Sequence, residues 1–321
     1  MLTGDIDSND TILITGATGF VGSNLLRRLV HYSKKIHIIV RKSSNFWRIS
    51  DVLPKVKLQY IDLLDTKEVK KAVKFINPTV IFHLANRVLY QSKSPPFTEL
   101  YKNNILGTIN LIDALESVEY KCFVNTGSSS EYGPKNKPML ESDICSPVNA
   151  YGLSKLICSL YASQHAKNNN KPLVTLRLFS PYGPFDDYRR LIPYLVLRSI
   201  KSENILIHKP EAVRDFIYID DVIEAYINTV KYAHNFPGEI FNIGSSKQIS
   251  VKKVLSKVVK ITDSKNSVTF ERIFSKLKET TCWQASIKKS KININWMPNT
   301  SFDDGIKKTI NWFTNNQKLY R

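Results

Sequence analysis

The sequence predicts a doubly wound α/β fold: one parallel sheet with helices on both faces, completed by a smaller, discontinuous α/β lobe. Three observations carry this expectation. Short apolar, strand-like runs alternate with helical patterns through the first half of the chain, which calls for right-handed βαβ units and a sheet covered on both sides. A glycine-rich turn joins the first strand-like run to the first helical one. The 321 residues are enough for one large α/β domain, or for two smaller ones that share a core.

Taken in order, residues 1–10 read as a loose lead-in. The stretch Thr11 to Gly22, T-I-L-I-T-G-A-T-G-F-V-G, places β-prone Ile12–Thr15 directly before Gly16, Gly19 and Gly22. Leu25, Leu26 and Leu29 then recur at helical spacing up to Val30. Strand, tight turn and helix in that order suit a pyrophosphate. One glycine allows a turn that a Cβ would block, one lets backbone approach phosphate, and one lets helix pack on strand. The helix terminus offers unpaired N–H groups and partial positive charge. Further strands are expected at Ile36–Val40, Val56–Ile61, Thr79–Leu84, Cys122–Thr126 and Leu173–Phe179. Helices are expected around Thr66–Ile76, Tyr101–Glu116 and Ala150–Ala166, the last starting at a Ser146-Pro147 cap.

Beyond about Ser180 the pattern becomes irregular. Ile217–Tyr226 reads as one more strand-to-helix passage and Glu239–Ile243 as a late strand, both returning to the sheet. The dinucleotide domain is therefore expected over 11–180 plus about 215–245, and the substrate lobe over 181–214 and 246–321. No internal repeat or low-complexity tract is visible.

Bulk properties narrow the class. No apolar run approaches the roughly 20 residues of a membrane span, and the acidic, polar start is not a signal peptide. Cys122, Cys145, Cys158 and Cys282 are scattered without a Cys-x-x-Cys pair, which suits a reducing cytosol and gives no reason to expect a metal. The net charge of +18 would fit a nucleic-acid or membrane partner. Its lysines, however, fall in short pairs over the whole chain with no basic-aromatic array. A solvated surface around an anionic substrate is the preferred reading, with neither nucleic acid nor membrane as partner.

Two later stretches carry chemistry. In N-A-Y-G-L-S-K, Tyr151 and Lys155 are four apart, which puts both on one helix face. A lysine ammonium beside a phenol favours the phenolate, making tyrosine usable as a general acid/base. By spacing alone such a pair could equally be a surface contact. The second stretch, Thr126-Gly127-Ser128-Ser129-Ser130-Glu131-Tyr132-Gly133, closes the fifth strand.

Together with Gly16, Gly19 and Gly22, and in that order, these stretches resemble the extended short-chain dehydrogenase/reductase family of nucleotide-sugar epimerases, dehydratases and reductases. Further matches extend the resemblance over roughly 11–313. They are Ile81-Phe82-His83-Leu84-Ala85, Asn104-Ile105-Leu106-Gly107-Thr108, Arg177 to Pro184, Arg214-Asp215-Phe216-Ile217-Tyr218, Phe241-Asn242-Ile243-Gly244 and Asn295-Trp296-Met297-Pro298. The resemblance implies a Rossmann-type sheet and a catalytic set of Ser128, Tyr151 and Lys155. It implies cofactor contacts at Gly16, Thr18, Gly19, Phe20, Val21 and Gly22, at Arg41, Asp62 and Leu63, at Leu84, Ala85 and Asn104, and again at Tyr151 and Lys155. Substrate contacts are implied at Ser129, Ser180, Arg190 and Arg214. Ser180 stands where the family usually has asparagine. Arginine suits a diphosphate because its planar fork bonds two oxygens at once. His83 is expected to pack against the sheet.

The second strand ends Val40-Arg41-Lys42-Ser43-Ser44, without the carboxylate that usually accepts from the ribose hydroxyls of NAD. NADP(H) is therefore expected, with NAD(H) as the alternative. A 4,6-dehydratase of this family carries a carboxylate pair directly after the serine/threonine; here those positions are Ser129 and Ser130, with Glu131 one residue on. Reduction of a 4-keto-6-deoxy nucleoside-diphosphate hexose is the expected reaction and 4-epimerisation the alternative. A dehydratase, or a cofactor- or RNA-binding protein without turnover, is a weaker reading. The family often pairs through the helices around 101–116 and 150–166, so a homodimer is expected.

Overall fold

The computed structural model describes residues 4–87, 97–265, 267–271 and 282–320. β1 (Thr11–Thr15) turns into α1 (Phe20–Leu29), followed by β2 (Lys35–Val40), β3 (Lys57–Tyr60), α2 (Thr66–Ile76) and β4 (Val80–His83). α3 (Phe97–Tyr101) runs through a π turn, Lys102–Leu106, into α4 (Gly107–Ala114). Next come β5 (Cys122–Ser128), α5 (Ala150–Asn169), β6 (Leu173–Leu178), β7 (Ser180–Tyr182), α6 (Leu191–Ile200), β8 (Ile205–Ile207), β9 (Val213–Tyr218), α7 (Ile219–Tyr232) and β10 (Ile240–Ile243). The chain ends through β11 (Gln248–Ser250), α8 (Val251–Thr262), β12 (Val268–Phe270), α9 (Lys288–Asn293) and α10 (Phe302–Asn315).

Seven strands form a parallel sheet in the order β10-β6-β5-β4-β1-β2-β3. Both faces are buried, which explains the near-continuous apolar runs. Ile12 and Ile14 face a core shared with Leu25 and Leu29 of α1 and with Val222 and Tyr226 of α7. Leu13, Ile81 and Phe123 face the other side, against Val69 and Val73 of α2, Leu111 of α4 and Ala162 of α5. The α2 ends follow local chemistry. The Asp65 carboxylate accepts from the Glu68 N–H at its start, and Asn77 takes a left-handed conformation, φ 45°, at its end.

The irregular half builds two small sheets, β11-β9-β7 and β12-β8. Most of its described apolar residues join the core of the large sheet. Leu195 of α6, Val254 of α8 and Phe313 of α10 belong to the same apolar cluster as Ile12 and Val222. The 217–226 passage divides between layers. Its strand, β9, starts at Val213 and joins the small sheet, whereas α7 packs on the large one.

Three local expectations need correction. α5 is capped by Asn149, whose side chain accepts from the Gly152 N–H at 2.8 Å, rather than by Ser146-Pro147. The helix read over 101–116 is interrupted by the π turn. The lead-in is pinned at its end: the buried Asp10 carboxylate pairs with Lys121 at 2.8 Å and accepts from the Thr79 hydroxyl, while the Ser33 hydroxyl donates to the Asp10 carbonyl.

Candidate active site

From β1 the chain builds outward to β2 and β3, then crosses back to lay β4 on the other flank. Ligands of doubly wound sheets sit in the crevice at that reversal, beyond the carboxyl ends of the strands. A cavity of about 1050 Å³ opens there. Gly16 is at φ +74°, and a Cβ on it would lie 2.5 Å from the backbone that follows β4, at Leu84 and Ala85. Gly22 is held by α1 against β1; its Cβ would meet the Gly16 carbonyl oxygen at 2.2 Å. Gly19 is the N-cap of α1, and Phe20, Val21 and Gly22, whose N–H groups have no partner within the helix, line this cavity. Thr18, Leu84, Ala85, Asp62 and Leu63 also line it, as does Arg41 at the end of β2.

The other end of the cavity is formed by β5 and α5. Ser128 closes β5 and caps a single 3₁₀ turn, Ser129–Glu131; its hydroxyl accepts from the Ser130 N–H while the Glu131 carboxylate accepts from the Ser128 N–H at 2.7 Å. Ser128, Ser129, Ser130 and Tyr151 all line the cavity, and Glu131 does not. The 3₁₀ turn carries the Glu131 carboxylate beneath the strand, fully buried, where it bonds the Arg177 Nε at 2.7 Å and the Ser159 hydroxyl at 3.0 Å. Lys155 lies one turn into α5 from Tyr151, buried, and desolvation lowers its pKa.

Ser180 lines the cavity from the start of β7, Arg190 from the cap of α6 and Arg214 from β9. Arg190 is paired with buried Asp186 at 2.8 Å. Lys155 and Asn104, both expected at the cofactor, lie behind the cavity wall. Asn104 is buried in the π turn, and its amide is spent on backbone and on Ser154: it accepts from the Arg87 N–H at 2.7 Å and donates to the Arg87 carbonyl and the Ser154 hydroxyl. It shapes the wall without forming it. His83 bridges Thr15 and Thr108 inside the fold, as expected of a packed histidine.

Several lining residues carried no sequence signal. Trp283, Arg48, Asp186 and Arg189 come from loops whose position depends on tertiary packing. The Arg48 Nε donates to the Phe185 carbonyl, and its guanidinium lies over Trp47. Phe185 sits at a non-glycine φ of +65°, packed between Trp47 and Trp312. The Tyr320 hydroxyl donates to the Asp186 carbonyl at 2.8 Å, and its ring meets Trp47 edge-on.

A glycine turn beneath the reversal of a parallel sheet, with a cavity running from that turn to a serine and a tyrosine, defines a dinucleotide-binding α/β protein. The chain belongs to the NAD dependent epimerase/dehydratase family, whose model matches residues 12–244. It is similar to human dTDP-D-glucose 4,6-dehydratase, 26% identical over 95% of this chain and 90% of that one. It resembles the dTDP-4-dehydro-6-deoxyglucose reductase of Escherichia coli to the same 26%, over 93% and 96%. Among solved structures, UDP-glucuronic acid 4-epimerase from Bacillus cereus, in complex with UDP-glucuronic acid and NAD, matches with a TM-score of 0.84. That chain is 26% identical, over 95% of this chain and 99% of its own. The relatives are thus nucleotide-sugar dehydratases, reductases and epimerases, and this chain is an enzyme. No described helix is long and apolar enough to cross a membrane.

Proposed function

We propose that the chain is an NADP(H)-dependent oxidoreductase that reduces a 4-keto-6-deoxy nucleoside-diphosphate hexose. The observation that carries the reaction is the state of the positions after Ser128. Ser129 and Ser130 line the cavity while the Glu131 carboxylate is buried on Arg177. Eliminating water from the sugar would need an acid/base carboxylate there, so the enzyme takes its ketone ready-made. Support for the cofactor comes from the end of β2. Arg41, Ser44 and Arg48 line the cavity and residues 41–48 contain no carboxylate. Two guanidiniums and a hydroxyl suit a phosphate monoester.

The residues present fit a dinucleotide. The Gly16 and Gly22 positions leave room for no Cβ, and the first-turn N–H groups of α1 would hold the pyrophosphate. Bound there, NADPH supplies a hydride. The Tyr151 phenol donates a proton to the oxygen on carbon 4. Ser128 Oγ orients that oxygen. Lys155, one helical turn behind, stabilises the phenolate left after the transfer. Arg214 bonds the substrate diphosphate; Ser180 and Arg190 close the sugar end. The chain pairs through the π turn, α4 and α5, where Leu106, Leu153 and Leu160 stand exposed.

A second reading is a 4-epimerase, favoured by the likeness to the Bacillus cereus 4-epimerase. It needs the same residues and a retained cofactor. One assay separates the two. Given dTDP- or CDP-linked 4-keto-6-deoxyglucose, the protein should consume NADPH in step with sugar, and Tyr151→Phe should abolish turnover while leaving cofactor affinity nearly unchanged. Interconversion of two 4-hydroxy sugars without net cofactor oxidation would overturn the reductase and leave the epimerase.

A further inference from the structure

Trp283 lies 154 residues after Ser129 in sequence, yet its indole Nε1–H donates to the Ser129 Oγ at 3.2 Å. Both residues line the cavity. The Arg214 guanidinium lies over the same indole, 5.0 Å from the ring centre. Trp283 thus touches both the polar turn that follows Ser128 and the arginine assigned to the diphosphate.

Its position is fixed from both sides. The Trp283 N–H donates to Gln248 Oε1, and two residues on the Ala285 N–H donates to the Asp215 carboxylate. Asp215 is fully buried beside Arg214 on β9 and also accepts from Ser245 and Ser246. The Gln284 carbonyl accepts from the Met139 N–H, and Gln284 Nε2 donates to the Ser246 carbonyl. Such a segment presents its indole in one orientation.

A hydroxyl carries one donor and two acceptor sites. Ser129 is 5% exposed, and its oxygen accepts from Trp283. No acceptor for its O–H is found among the described residues. A buried donor left unmade is costly, and here the open direction is the cavity. Resting on the nucleotide-sugar reading above, we infer that Trp283 is a positioning residue: its N–H occupies the Ser129 oxygen and turns the Ser129 hydroxyl towards the sugar, where it donates to an oxygen of the hexose. The pair reads the sugar and leaves the nucleotide alone. Because Arg214 rests on the same ring, the diphosphate grip and the sugar-reading hydroxyl share one rigid support.

The test compares affinity for a nucleoside diphosphate with affinity for the same nucleotide carrying a hexose. Calorimetric titrations use UDP and UDP-glucose, dTDP and dTDP-glucose, CDP and CDP-glucose, GDP and GDP-mannose, on the protein loaded with oxidised cofactor; the tightest pair is carried forward. Trp283→Phe keeps an aromatic face for Arg214 but lacks the N–H. Ser129→Ala lacks the hydroxyl. Each should weaken hexose-nucleotide binding about ten-fold with the sugar-free diphosphate unchanged, and the double variant should lose no more than either single one. Additive losses, or equal weakening of sugar-free nucleotide, would make Trp283 a merely structural residue and overturn the inference. Unchanged affinity for the hexose nucleotide would overturn it as well, with the nucleotide-sugar reading intact. If no pair binds the unmodified protein, both readings fall together. Cofactor titration and thermal melting of each variant identify a folding defect, and the milder Trp283→His, which restores a ring N–H, should then recover part of the sugar-specific affinity.

Discussion

Ser128 and Glu131 are separated by two residues and have opposite fates. The sequence places both at the end of a strand, and an extended chain would have turned the glutamate aside by alternation alone. The structure reaches the same result by another route, a 3₁₀ turn that inserts the carboxylate beneath the strand onto Arg177. That partner is 46 residues away, and nothing in either segment announces it. Motif residues were legible because their chemistry requires a type and a spacing. Trp283, Arg48 and the pairing of Arg177 with Glu131 were not, because they come from what folding brings together. Arg41 belongs to the legible group and gives a test at this scale. Arg41→Ala should narrow the preference for NADP(H) over NAD(H) by about 1.5–3 kcal/mol, the worth of one charged hydrogen bond. Fluorescence titration of both cofactors measures it; equal affinities in the unmodified protein would remove the basis for a phosphate site.

At the scale of elements, the βα alternation fixed most of the large sheet, and the errors lie where side chains overrule pattern. The π turn at Lys102–Leu106 cannot be read from apolar spacing, since one extra residue per turn leaves the surrounding periodicity nearly unchanged. Its effect is to place Asn104 against the Arg87 backbone. β4, β1 and α4 are tied together by His83, whose two ring nitrogens meet the Thr15 hydroxyl at 2.6 Å and the Thr108 hydroxyl at 2.9 Å. Burial, with Lys155 nearby, pushes the His83 pKa down to about 3. The unfolded chain, near 6.5, binds this proton first as pH falls. His83 therefore costs no stability above about pH 6.5, and its contribution drains away between there and about pH 3. At pH 5 the loss should be about 2 kcal/mol relative to pH 7. Urea midpoints at the two pH values, for the natural protein and for His83→Gln, should show a steeper acid loss in the former; parallel losses would mean that the ring is protonated without penalty.

For the molecule as a whole, the sequence marks a regular half, because parallel strands buried on both faces leave a plain apolar signature. It does not show that both halves share one apolar cluster, in which Phe313 belongs with Ile12. Nor does it show that Asp10 is anchored, since its buried pair with Lys121 joins groups 111 residues apart. Long-range pairs of this kind have no local period to betray them.

The contact of Tyr320 with Asp186 and Trp47 has a kinetic consequence. The loops carrying Asp186, Arg190, Arg41 and Arg48 wall the cavity, and the turn after α10 buttresses them through Tyr320. If a dinucleotide leaves by that side, parting these rings couples local opening of residues 317–320 to its escape. Linkage then runs in both directions: a ligand that requires the closed wall must slow the fraying. Amide exchange at residues 317–320 should slow several-fold when NADPH is added, although those amides lie outside the cavity. Tyr320→Ala should raise the NADPH dissociation rate more than it changes the association rate. Exchange at 317–320 that ignores the cofactor would separate the tail from the gate.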